Sequence, residues 1–351
     1  MNEQQFIKEL ELALHQMTAD ERNEIISDIR EYFSNAREDG KTDNDISSSL
    51  GSPKQIAQEL LENYVPVKSQ PKTFTSDKLI RIPDSTFTNV LIDLDYGALN
   101  LFPSETDETI VELIGESEKL SFVAEVIGDT LSVKLKSKKM SFFTFIFQVK
   151  ELKVNVALPK KLYSTITMKS DHGRIRAEKL LGKIVKVNSD NGSILLQEIA
   201  STLMEVKTDN GRIELDRVQS DKLTTTTDNG RIELRNVDTE KVHAETDNGR
   251  ITMQYVNGDI LGKTDNGRIE LLTTSIDRMI DLKTDNGSIM IETESDPTDV
   301  SISAKVDWGK VDIFGERNSK TVFGAGTHQV RLTSDNGRLT VAKRAVSGIK
   351  L

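Results

Sequence analysis

The chain has 351 residues, no cysteine, 36% hydrophobic but only 5% aromatic residues, and a formal net charge of −10. These values allow one large domain or two or three ordinary ones, and they exclude disulfides, zinc–cysteine sites and thiol catalysis. No stretch approaches the ~20 apolar residues of a membrane span. Met1-Asn2-Glu3-Gln4-Gln5 lacks a basic region followed by an apolar run, so no secretion signal is expected and the localisation expected is cytoplasmic.

Residues 1–65 read as helical. Phe6, Leu10, Leu14, Ile25, Ile26, Ile29, Tyr32 and Phe33 recur at helical spacing. Thr18-Ala19-Asp20-Glu21 predicts a capping box for a second helix, which Gly40 ends. Asp43 is expected to cap a short third helix, and Pro53 to start a last one through Ile56, Ala57, Leu60 and Leu61. This segment holds 6 Lys+Arg against 14 Asp+Glu, a net of −8, so of the total of −10 only −2 falls on residues 66–351. Acidity of this kind argues against nucleic-acid binding and suits solvated helix faces or a basic partner. On Phe6-Ile7-Lys8-Glu9-Leu10, the acidic stretch from Glu24 to Phe33, and Leu50-Gly51-Ser52-Pro53 followed by Ile56-Ala57, the segment resembles the small helical HAAS signalling domain of bacteria. The resemblance implies a regulatory or interaction module and carries no catalytic residue across.

Residues 66–73, with Pro66 and Pro71, read as a linker. Short alternating runs come next at Lys78–Ile82, Val90–Leu94, Thr109–Leu113 and Leu131–Leu135, so residues 74–351 are expected to form one continuous β region. Asp95-Tyr96-Gly97-Ala98-Leu99 looks like a worn copy of the phrase that organises the C-terminal half of the chain. Ser141-Phe142-Phe143-Thr144-Phe145-Ile146-Phe147 is the one aromatic cluster, flanked by Lys134, Lys136, Lys138, Lys139 and Lys150. Phe142, Phe143, Phe145 and Phe147 suit either a buried strand or plug over an open sheet end, or a hairpin touching anionic lipid or a partner, which would place the protein at the inner face of a membrane.

That phrase is Thr-Asp-Asn-Gly-Arg-Ile. Its core copies are Asp190-Asn191-Gly192, Asp209-Asn210-Gly211-Arg212, Asp228-Asn229-Gly230-Arg231, Asp247-Asn248-Gly249-Arg250 and Asp265-Asn266-Gly267-Arg268. Looser copies start at Asp171, Asp285, Asp307 and Asp335; from Asp171 the steps are 19, 19, 19, 19, 18, 20, 22 and 28. A fixed period near 19 means one structural unit copied many times. Apolar residues five before and four and six after each Asp alternate with Lys, Glu, Thr and Arg, so each unit is two short strands with one buried face, joined at Asp-Asn-Gly. Asn-Gly is expected to supply positive φ angles there.

Two architectures fit: an antiparallel hairpin meander, and a β-solenoid with one coil per repeat. The solenoid accounts for repetition of the whole phrase, because stacked Asn side chains bond to each other as a ladder. The Arg or Lys three residues after each Asp is expected to lie across the turn from it and relieve repulsion along the Asp column. On Asn89-Val90, the lead-in from Leu152 to Pro159 and the Asp-Asn-Gly-Arg-Ile series, the region resembles a bacterial family of β-strand repeats labelled "putative adhesin". That resemblance implies a β-solenoid-like fold and, in some members, a link to cell-envelope stress.

The chemistry is that of repetition. His15, His172, His243 and His328 are scattered, and no zinc-protease or phosphate-cradling motif occurs. No catalytic residue, metal site or cofactor is expected. The reading is a non-enzymatic interaction, sensory or scaffold protein with a protein partner, tied to envelope stress, whose solenoid is the binding surface and whose helical module docks a partner. Alternatives are a carbohydrate-binding or carbohydrate-active β-helix, which needs a groove of non-repeat Asp, Glu and Arg, and a purely structural self-assembling element.

Overall fold

The computed structural model describes residues 1–15, 17, 22, 25, 26, 29, 30, 33, 37, 42–61, 78–83, 86–115, 120–137 and 152–344. The capping box at Thr18, the helix exit at Gly40, the linker and the Phe142–Phe147 cluster lie outside the described residues. The chain divides into two compact units, Met1–Phe74 and Thr75–Leu351.

In the first unit, α1 (Glu3–Ala13), α2 (Asp43–Leu50) and α3 (Pro53–Leu61) are helices. Phe6, Leu10, Leu14, Phe33 and Ile46 are fully buried, and Phe6 meets Phe33 edge-on at 5.5 Å. Thr42, not Asp43, caps α2: its hydroxyl accepts from the Asp45 N–H, and the Asp45 carboxylate returns the bond to the Thr42 N–H. Asp43 lies in the first turn, where its carboxylate binds Arg37 and the Glu3 N–H, and the Arg37 bond holds it below the ordinary carboxylate range.

The second unit is a stack of parallel coils. The central strands β9 (Ile175–Ser189), β10 (Ile194–Thr208), β11 (Ile213–Thr227) and β12 (Ile232–Thr246) lie side by side in one register, Ile175 on Ile194, Ile213 and Ile232. A parallel register excludes the hairpin meander. Ile213, Leu215, Val218, Leu223 and Thr225 of β11 point inward, and their equivalents in each neighbouring coil stack on them, giving one aliphatic core.

Each central coil is one long strand between successive phrases, and the coil after Asp247 is two, with a second corner inside. There Lys179, Glu198, Arg217, Asn236 and Tyr255 have φ between 52° and 55°, in the left-handed region. The phrase glycines Gly192 to Gly267 are outside that region, contrary to the expectation that Asn-Gly supplies positive φ. Their smallness serves packing instead. A Cβ on Gly211 would stand 2.0 Å from the Gly192 carbonyl oxygen, and one on Gly230 would stand 1.8 Å from that of Gly211. The phrase backbones stack so closely that only a residue without a side chain fits.

Both ends depart from sequential stacking. Strand β16 (Ile280–Asn286) and β17 (Ile289–Thr293) do not meet β18 (Val300–Ile313), the next strand of the chain. They pair instead with β20 (His328–Lys343), whose other side carries β18. Coil order is therefore Asp265, Asp285, Asp335, Asp307. The cause is local: the Asp335 coil has Ser334, Asn336 and Gly337 to match Thr284, Asn286 and Gly287, whereas the Asp307 coil has Val306 and Trp308. At the other end, β2 (Asn89–Tyr96) is sandwiched between β6 (Thr130–Ser137) and β8 (Leu162–His172), so the Asp95 phrase stacks directly on that of Asp171. Antiparallel strands cover the outermost coils: β5 (Leu120–Ile127) on β6, β4 (Thr109–Ile114) on β7 (Lys153–Leu158), and β19 (Lys320–Phe323) on part of β18. These shield edges that would otherwise template further pairing.

Gly230→Ala tests the packing role. With no left-handed backbone at this position, the expected loss of about 2–3 kcal/mol is purely steric and would be read by urea unfolding; an unchanged midpoint contradicts the close approach.

Candidate functional site

The sequence-predicted residues come together as one column along the phrase corner. The side-chain amide of Asn210 donates to Asn191 Oδ1 at 2.9 Å, Asn229 to Asn210 at 2.9 Å, Asn248 to Asn229 at 2.9 Å and Asn266 to Asn248 at 3.0 Å. Asn286 continues to Asn266 at 3.1 Å and Asn336 to Asn286 at 3.0 Å. Aromatic residues replace Asn at both ends. His172 Nδ1 lies 3.2 Å from the Asn191 amide and stacks on Tyr96 at 5.3 Å, while Trp308 registers with Asn336.

A second column lies just inside and was not read from the sequence. Thr208, Thr227, Thr246, Thr264 and Thr284 are buried, and each hydroxyl donates to the glycine carbonyl of the preceding coil at 3.0–3.2 Å. The Thr227 hydroxyl also accepts the Gly230 N–H of its own phrase at 3.1 Å. A buried hydroxyl is thereby satisfied at both ends. The signal was legible, since Ser or Thr precedes every phrase Asp from Asp171 onward except Asp307.

Charges do not pair as expected. Arg212, Arg231 and Arg268 turn away from the Asp column to Glu214, Glu233 and Glu270, two residues on, at 2.8, 3.2 and 3.0 Å. The Asp column instead takes the Lys two residues before it: Lys207–Asp209 at 3.4 Å, Lys263–Asp265 at 3.5 Å and Lys283–Asp285 at 3.1 Å. In extended chain, residues i and i+2 share a face, so these partners are nearer than one across the turn. At Asp171 the column keeps its repulsion: burial, then Asp190 and Asp95, push the carboxyl above its ordinary value. Among the described residues no group of three His, Asp or Glu could hold a metal ion.

The family model described as Toastrack DUF4097 matches residues 87–342. The chain belongs to the Toastrack DUF4097 family. A second family model, HAAS, matches residues 5–59. Three solved structures resemble the Toastrack part distantly. A "putative cell adhesion protein" from Clostridium sporogenes ATCC 15579 is 13% identical over 76% of this chain and 99% of its own, with a TM-score of 0.21. "Putative adhesins" from Parabacteroides distasonis ATCC 8503 and Bacteroides fragilis NCTC 9343 are 11% and 15% identical over 75% and 76% of this chain and 96% and 98% of their own, with TM-scores of 0.37 and 0.36. No curated protein matches the chain.

The Toastrack unit also holds a cleft of about 390 Å³ away from the phrase column. It is lined by Asp259, Asp281, Thr327, His328, Gln329 and Arg331, with half-exposed Met279. These side chains differ from coil to coil, unlike the phrase. Asp277 organises the loops beside it, its carboxylate accepting the Thr298 and Asp299 N–H groups and the Thr298 hydroxyl. Burial pushes the Asp277 carboxyl up, but these bonds outweigh it, so the group titrates below its ordinary value. Bonds from Thr327 and Gly326 lower Asp299 likewise. A depressed carboxyl contributes stability that is present above its unfolded pKa, near 3.9, and is lost as pH falls through the lower folded value. Amide exchange at Thr298 and Thr327 is therefore expected to accelerate, relative to central strands, only below about pH 4. A change centred near neutrality would contradict this assignment.

Proposed function

We propose that the chain is a non-enzymatic scaffold: a stiff Toastrack unit that presents binding surfaces, joined to an acidic helical unit that docks a basic protein partner in cell-envelope stress signalling. The observation that carries it is the mutual pairing of the repeated charges. Lys207 with Asp209, Arg212 with Glu214 and Lys263 with Glu245 and Asp265 neutralise one another, so the repeat presents matched columns rather than a reactive group. Residues 1–65 carry −8 of the total −10, which steers a cationic partner to the helical unit. Contact with the inner face of a membrane through Phe142, Phe143, Phe145 and Phe147 belongs to this reading on the sequence alone.

Residues 1–74, residues 75–351 and the whole chain, each immobilised, test the division of labour. A partner retained by the whole chain and by 1–74, and released by salt, is the expected result. Retention by 75–351 alone, insensitive to salt, contradicts it. The non-repeat cleft at Asp259, Asp281 and Arg331 favours one second reading, a carbohydrate-binding site. Glycan binding lost in Asp281→Asn with unchanged stability would replace the first reading with the second.

A further inference from the structure

We propose that the terminal coil pairs with the same coil of a second copy, joining two Toastrack units end to end about a two-fold axis. On its outer side, β18 is paired to β19 only over Val300–Ser303. Beyond that the chain fastens its own flanks: the Ala304 N–H donates to Ser319 O at 2.8 Å, and the Ile313 N–H to Glu316 O at 2.8 Å. Among the described residues, the edge from Lys305 to Asp312 faces no strand. Trp308, the one tryptophan of the chain, stands there 78% exposed.

That edge reads Lys-Val-Asp-Trp-Gly-Lys-Val-Asp, and it complements itself in reverse. Laid antiparallel on a copy with the axis between Trp308 and Gly309, Lys305 opposes Asp312, Asp307 opposes Lys310, Val306 opposes Val311, and Trp308 covers Gly309. Opposite charges and matched apolar residues directly across an antiparallel pair are the stabilising arrangement. Such a two-fold contact is the commonest form of self-association.

An ordinary strand would forbid this register, because residues of odd separation face opposite sides. The phrase corner removes the obstacle. In β10 and β11 the residues flanking the phrase, Thr208 and Ile213, both point into the core although they are five apart; Val306 and Val311 occupy the same two places. Backbone polarity agrees. At the place of Val311, Ile194 and Ile213 donate their N–H to the following coil, at Arg212 O and Arg231 O. Two residues before Val306, Ala304 donates to the same outer side. Val306 and Val311 thus both offer their backbone to the copy.

The charges are also uncommitted. In three inner coils the Lys before the phrase pairs with its Asp, as Lys207 does with Asp209. Among the described residues Lys305, Asp307 and Lys310 form no ion pair. An edge of this length is a small interface, of the size at which association is weak.

The test is sedimentation equilibrium of the full chain from ~1 µM to ~500 µM, the range that brackets a weak complex, with Trp308 emission followed in parallel. Wild type should pass from monomer to dimer, with emission moving to shorter wavelength as Trp308 leaves water. Asp307→Lys and Lys310→Asp each set like charges opposite one another and should weaken the dimer about tenfold or more. The double variant Asp307→Lys with Lys310→Asp restores every opposition and should recover the wild-type constant. Both substituted positions are exposed, and circular dichroism checks that each variant folds. A chain monomeric throughout, a dimer that ignores the single reversals, a double variant that stays monomeric, or emission that does not move on association would each overturn the proposal.

Discussion

The β unit depends on one close approach, that of each phrase backbone to the phrase of the coil before it. Strands in a parallel ladder lie about 4.8 Å apart, and at the phrase corner the carbonyl of one glycine occupies the space a Cβ of the next would need. The threonine before the phrase then bonds that carbonyl from inside, and the asparagine ties coil to coil from outside. Each such bond contributes about 1 kcal/mol net. Repetition along the stack makes the corner a continuous seam, and the aliphatic core is built on strands the seam holds in register.

Ends are the weak point of any such stack, because the last coil has one neighbour instead of two. Here the chain places the second layer from each end out of sequence order. Strand β2 is held between β6 and β8, and β20 between the Asp285 coil and β18. The contact that skips a coil of the chain is therefore the inner one, Asp285 on Asp335 at one end and β2 on β8 at the other, and the outermost coil closes over it. Side chains that would break the seam, Val306 and Trp308, occur in the outermost coil among the described residues.

The seam and the core were legible because both leave side-chain signatures: period-2 alternation at Ile213 and Leu215, and a recurring Asn-Gly. The threonine column was equally legible and went unread. Coil order was not legible, since Asp335-Asn336-Gly337-Arg338 and the earlier phrases are interchangeable as words, and only matching of layers decides which are adjacent. The second corner was hidden for another reason. Lys179, Glu198, Arg217, Asn236 and Tyr255 share a left-handed backbone but no side-chain chemistry. Arg212, Arg231 and Arg268 leave the Asp column because Glu214, Glu233 and Glu270, two residues on in extended chain, share their face and lie nearer than a partner across the turn.

Coils in this stack are chosen by matching phrases and not by sequence order. Paired cysteines test that directly, since the chain has none of its own. Asp281 registers with Arg331, and Arg331 with Ser303, so Asp281 and Ser303 lie two layers apart. Register partners fall within the ~4.4–6.8 Å between Cα atoms that a disulfide needs, and residues two layers apart do not. Under mild oxidation, Asp281→Cys with Arg331→Cys should crosslink within the chain and Asp281→Cys with Ser303→Cys should not. The reverse outcome would mean that the coils stack in sequence order and would contradict the matching of phrases.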